Sequence, residues 1–300
     1  METKALSMSI AATQTSVEGA APGRPREIEA PSNLYLVHPA SRRLTDLLER
    51  TAVTPNQVSI ASVFASGAAA ASYVALSWPW GAFAGLAFQF AWHVLDGADG
   101  ELARRTGRAS PIGELVDGVC DHLSQALIYL AFAFAAQRTF GGWAWAVAIA
   151  AAAAHFVQAN AYETGRKAYR RFVYGAPWMR QTGAGVGGPG KALSELYLAV
   201  SDLSSPGERR TEQAMAGAIA AGHAAEARRL YRERFAPLVK ASGIMDSNTR
   251  TVAAFLAVLA AHPLWLFVFE LTALNVALVG LAVARGRANC DLARRLATLV

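Results

Sequence analysis

Asp96-Gly97-Ala98-Asp99-Gly100-Glu101-Leu102-Ala103-Arg104, followed by Gly113, Asp117 and Asp121, is the stretch that decides how this chain is read. It lies where two strongly apolar segments meet. Ionisable groups beside membrane-grade helices are costly to bury and mark function by default. Four aspartates at this junction therefore point to a site.

The surrounding composition supports a membrane setting. Of 300 residues, 53% are hydrophobic, and the mean hydropathy is +0.24. The apolar residues come in runs near bilayer length rather than as a dispersed amphipathic pattern. This indicates an all-α, polytopic membrane protein. The net charge of +6 and pI of about 9.6 are accounted for by positive-inside flanks and anionic lipid. No basic and aromatic recognition module is present, so no nucleic-acid partner is expected. Cys120 and Cys290 belong to no Cys/His cluster with zinc spacing and imply no disulfide framework.

The chain divides as follows. Residues 1–40 read as a disordered arm rich in Ala, Ser, Thr, Gly and Pro, with no apolar core of a signal peptide. Leu44, Leu47 and Leu48 suit a short N-terminal juxtamembrane helix, lying on the membrane surface or packed on the protein. Thr54-Pro55-Asn56 opens a first span over residues 56–76. A turn with Trp78 and Trp80 as interfacial anchors leads to a second span over about residues 82–96. Ser110 as N-cap and Pro111 in the first turn start a third helix, running to about Ala136. A fourth covers about residues 143–162, and His262-Pro263 splits the last apolar region into two antiparallel helices, the first beginning near Asp246. Six transmembrane helices result, with residues 41–164 and 247–300 forming the membrane domain and residues 165–246 a helical insertion. Arg42, Arg104, Arg105, Arg166, Lys167 and Arg285 all fall on one side, which the positive-inside rule makes cytoplasmic. The aspartates face that side too.

Asp96, Asp99, Gly100 and Ala103 share one helical stripe, and Gly113, Asp117 and Asp121 share another. Two antiparallel helices joined by a short loop can turn these stripes together. Unit charges ~4 Å apart repel by roughly 4 kcal/mol at an effective dielectric near 20, so an ionised cluster calls for cations. Oxygen-only ligands favour Mg²⁺, Mn²⁺ or Ca²⁺ over Zn²⁺, and four carboxylates suffice for two ions serving displacement at phosphorus. Arg104 is placed to meet phosphate oxygens. A plain salt-bridged turn with Arg104, Arg105 and Arg108 would leave Asp117 and Asp121 unexplained, because they lie deeper in the third helix.

Taken with its spacing, this set resembles the complete signature of the CDP-alcohol phosphotransferase (CDP-alcohol phosphatidyltransferase) family, and Thr54-Pro55-Asn56 also fits that family. The resemblance covers residues 41–162 and, by topology, the last two helices. It implies that Asp96, Asp99, Asp117 and Asp121 bind two divalent ions, Mg²⁺ or Mn²⁺. It further implies that Asp121 is the catalytic base and that Gly100, Ala103, Arg104 and Gly113 hold the CDP moiety. A six-helix core resembles the bacterial enzymes that transfer phosphatidyl groups from CDP-diacylglycerol to an alcohol with release of CMP, at the inner membrane and often as homodimers. The alternative donor is CDP-ethanolamine or a similar CDP-alcohol, with a lipid hydroxyl as acceptor. A divalent-cation transporter or sensor is the non-enzyme alternative.

Gln158, Tyr162 and Arg166, at i, i+4 and i+8 of the fourth helix, are candidate acceptor-binding residues. Arg166, Lys167, Arg170 and Arg171 could bind an acceptor phosphate, although positive-inside flanking explains them more simply. Gly183–Gly188 matches G-x-G-x-x-G, but no strand precedes it, so it reads as a linker. His93 and His122 flank the acids and read as satisfied helix histidines.

Overall fold

A computed structural model describes residues 25–176 and 206–300. Among the described residues there are helices, turns and no strand. The glycine-rich stretch at 183–190 lies outside them.

Residues 25–40, expected to belong to a disordered arm, are built into the fold. Ile28 and Glu29 are both 2% exposed, and a π-helical turn, Asn33–Val37, runs into helix α1, His38–Leu48. The segment is retained because Ile28 enters an apolar core with Tyr169 and Phe172, while Glu29 meets Arg166. Of the two settings open to the juxtamembrane helix, packing on the protein is the one found. Ser41 Oγ donates to the Val94 carbonyl at 3.0 Å, and buried Thr45 lies against the same helix near Ala98.

Helix α2, Pro55–Ala75, starts at a capping box: Gln57 N donates to Thr54 Oγ1, and Thr54 N donates to Gln57 Oε1 at 2.9 Å. Helix α3 spans Trp80–Arg105 and therefore carries the whole first half of the signature, well past the expected end at Asp96. Gly97 and Gly100 do not break it, since tertiary packing overrides a propensity cost of about 1 kcal/mol per glycine. Ser110 Oγ accepts from Gly113 N at 3.0 Å and starts α4, Pro111–Phe140. Helix α5, Trp143–Tyr174, continues twelve residues beyond the expected Tyr162 and stops at Gly175, φ +70°. After α6, Glu208–Ala220, and α7, Ala224–Ala241, Asp246 caps α8, Ser247–Leu259. The final shaft comprises α9, Leu264–Phe269, a π turn, Glu270–Leu274, and α10, Asn275–Ala297.

Six helices stand where six spans were expected, yet four are long and apolar enough to cross a bilayer: Pro55–Ala75, Ile112–Phe140, Trp143–Tyr174 and Leu264–Ala297. Gln89, His93 and the acids dilute α3, and α8 has 13 residues, about 20 Å, short of a ~30 Å hydrocarbon core. Large apolar side chains such as Phe64, Ile149 and Val276 point outward from the long helices. One apolar core, around Tyr73, Phe132 and Phe267, joins these helices. A second lies beyond the aspartates, where α5 and α10 meet α6 and α7 through Tyr169, Phe172, Tyr231, Phe235 and Leu292.

Candidate active site

Helices α3 and α4 both pack on α2 more than on each other. Their acids meet in the space this leaves. Asp96, Asp117 and Asp121 each offer a carboxylate oxygen, and the three oxygens lie within 4.8 Å of one another. Asp99, 4% exposed, accepts from Ser59 Oγ of α2 at 2.6 Å. Arg105 does not neutralise this cluster; it is engaged by Asp46, Glu49 and Glu101. A divalent cation fits the donor set, which is all oxygen and too crowded with negative charge to be stable as separate free carboxylates.

Gly100 and Gly113 line the approach from the helix ends. A Cβ at Gly100 would stand 3.3 Å from an Arg104 guanidinium nitrogen; one at Gly113 would stand 3.5 Å from Asn56 Oδ1. Thr54-Pro55-Asn56 is thereby brought to the same end of the bundle as the signature. Arg104 is exposed there, and Ala103 is half-buried one residue before it.

Asp96 and Asp121 also border a polar cavity of about 180 Å³. Tyr162 and Arg166 line it, but Gln158 does not. Gln158 is 0% exposed: its Nε2 donates to Asn275 Oδ1 at 2.9 Å and the Glu270 carbonyl at 3.0 Å, and its Oε1 accepts from Arg250 at 2.8 Å. Its polar atoms hold three helices together. His93 borders the cavity while bonding Thr251 Oγ1 at 2.8 Å. His122 is satisfied by the Gly118 carbonyl of its own helix. Arg171 is turned toward Glu212 of α6, away from the cavity.

Several contributors were not foreseen. Glu29, Asn33 and His38 come from the arm, and Asp246 and Asn248 from the start of α8. Ser59 had a faint signal: with Ser62 and Ser66 it forms a small polar stripe on an otherwise apolar span. Arm residues carry no comparable periodic mark.

Four helices long and apolar enough to cross a bilayer suggest an integral membrane protein, and its carboxylate cluster lies toward one end of them. Residues 52–186 match the family model described as CDP-alcohol phosphatidyltransferase. An uncharacterized CDP-alcohol phosphatidyltransferase class-I family protein 2 from Dictyostelium discoideum is 44% identical over 54 residues, 18% of this chain and 13% of that protein. Choline/ethanolaminephosphotransferases 1 and 2 from Arabidopsis thaliana are each 40% identical over 67 residues, 21% of this chain and 17% of theirs. The chain thus matches less than a fifth of the length of these curated relatives.

Proposed function

We propose that this chain is a phosphatidyltransferase that moves a phosphatidyl group from CDP-diacylglycerol to an alcohol and releases CMP. The convergence of Asp96, Asp117 and Asp121 beside a polar cavity carries this reading. Asp96, Asp99, Asp117 and Asp121 would hold two Mg²⁺ or Mn²⁺ ions. When bound, such ions polarise the diphosphate and stabilise the departing CMP. Gly100, Ala103, Arg104 and Gly113 bind the CDP portion, with the glycines admitting it close to the backbone and Arg104 contacting phosphate oxygens.

The acceptor hydroxyl attacks the phosphorus that carries diacylglycerol, and the bond from that phosphorus to the CMP oxygen breaks. Asp121 takes the hydroxyl proton, which suits a carboxylate that belongs to both the acidic cluster and the cavity wall. In this reading the insertion over residues 165–246 and the site face the cytoplasm, and the membrane is a bacterial inner membrane. A homodimer is compatible with it.

A second reading, head-group transfer from CDP-ethanolamine or a similar CDP-alcohol to a lipid hydroxyl, is favoured by the names of the Arabidopsis relatives. Cation transport has less support: the acids cluster at one end of the helices, and beyond them the bundle is filled by Tyr73, Phe132 and Phe267. Purified protein given Mn²⁺ and either CDP-diacylglycerol or CDP-ethanolamine, with candidate acceptors, tests the assignment. CMP release should require the metal and vanish in Asp117→Asn and Asp121→Asn. Undiminished release in both variants would reject the mechanism.

A further inference from the structure

Beyond Asp96 and Asp121, the lining of the cavity has an unusual charge balance. Glu29 from the arm, Glu163 from α5 and Asp246 at the start of α8 all line it, against a single guanidinium, Arg166. That guanidinium is already engaged: Arg166 contacts Glu163 at 2.9 Å and Glu29 at 3.3 Å and lies over the Tyr162 ring at 5.3 Å. Apart from Asp96 and Asp121, the remaining lining is uncharged and mostly hydrogen-bonding, including Asn33 and Asn248, which are joined by a 2.7 Å bond. His38 lies 3.8 Å from Glu29, and His93 is held by Thr251. Of the basic residues that follow Arg166 on α5, none lines the cavity.

We infer that the alcohol handled in this cavity carries no phosphate or other anion, and that a protonated amine on it is favoured over a neutral polyol. An anionic group would face three carboxylates and a cation that would have to leave two partners to receive it. An ammonium group gains from the same arrangement, and hydroxyls find the asparagines and Tyr162. The inference rests on the transfer reading for what the alcohol is used for, and on the cavity itself for which alcohol enters. For a head group carried on CDP, whose hydroxyl oxygen is already esterified to the diphosphate, the preference for the amine alone applies.

The test uses the full-length protein in detergent with Mn²⁺, and measures binding by thermal shift for matched pairs: ethanolamine against phosphoethanolamine, and glycerol against glycerol 3-phosphate. Each unphosphorylated member should bind at least about tenfold more tightly than its phosphate ester, with ethanolamine ahead of glycerol. Tighter binding of either ester, or stabilisation by none of the four, overturns the inference. Asp246→Asn keeps the helix cap, because Asn caps as well as Asp, and should weaken ethanolamine by about fivefold while sparing glycerol. Glu29→Gln combined with Glu163→Gln releases Arg166 and should improve phosphoethanolamine binding by about tenfold; unchanged preference in both variants also overturns the inference. Separate CMP-release arms, ethanolamine with CDP-diacylglycerol and CDP-ethanolamine with diacylglycerol, identify the source of the alcohol. Retained binding preference with no CMP in either arm would sink the transfer reading alone.

Discussion

Replacing Arg250 with methionine should cost this protein a large part of its stability. Arg250 Nε donates to Glu270 Oε1 at 3.1 Å, with the two side chains 5% and 0% exposed. At that separation the attraction is about 5 kcal/mol at an effective dielectric near 20, before desolvation is subtracted. Breaking a buried pair from one side typically costs about 3–5 kcal/mol, because the surviving charge is left unpaired. Arg250 also donates to Gln158 Oε1 and to the carbonyls of Met245 and Asp246, so the start of α8 would loosen with it. Asp246, Ser247 and Asn248 line the cavity, and CMP release should therefore fall as well. The assay is thermal unfolding in detergent by a tryptophan signal, compared among Arg250→Met, Glu270→Gln and the double variant. The double variant should recover much of the single loss, since it removes the orphaned charge. A melting temperature for Arg250→Met equal to that of the parent, or a double variant worse than the sum of the singles, would refute the reasoning.

Ser59→Ala removes the 2.6 Å bond to Asp99 and should raise the Mn²⁺ concentration needed for half-maximal CMP release by about tenfold, consistent with about 1–3 kcal/mol for an unsatisfied buried acceptor. Gly85→Ala would place a Cβ 2.2 Å from the Tyr73 ring, forcing α2 and α3 apart at a cost of about 1–3 kcal/mol, visible as a lower melting temperature. Burial alone would raise the pKa of Glu27, but hydrogen bonds from Tyr174 and Tyr169 with Arg232 nearby outweigh it and hold the carboxyl below its usual 4.5. A depressed folded pKa stabilises the folded arm above the usual carboxylate pKa and loses that stabilisation as pH falls through the folded value. Hydrogen-exchange protection factors of residues 25–32, corrected for the intrinsic pH dependence of exchange, should accordingly fall on acidification below about pH 4.5, while those of α4 stay unchanged.

Much of the site was legible because its geometry is local. Asp96 and Asp99 share one helix and Asp117 and Asp121 another, so spacing alone puts each pair on a stripe. Ser110, Pro111 and Asp246 marked helix starts through capping chemistry that needs no tertiary information. Helix ends were harder. The second span was bounded at Asp96 by its loss of apolar character, whereas α3 continues to Arg105, and the polar residues after Tyr162 hid a helix that continues to Tyr174. Gln158 shows the limit most clearly. Its spacing places it on one helical face with Tyr162 and Arg166, but its partners, Arg250 and Asn275, are 92 and 117 residues away. Nothing within the fourth helix tells whether an inward amide meets a substrate or another helix. The arm was missed for the same reason: Ile28 and Glu29 owe their burial to remote residues, not to any pattern of their own.

Helices α5 and α10 run without interruption from the aspartate-bearing bundle into the outer cluster with α6 and α7. The helical pair α6 and α7 is therefore bolted to two rigid shafts. Trimming the chain back to a minimal bundle by excising residues 208–241 would strip the cover from Tyr169, Phe172, Leu292 and Leu296, now at most 7% exposed, and leave a sticky stump in water.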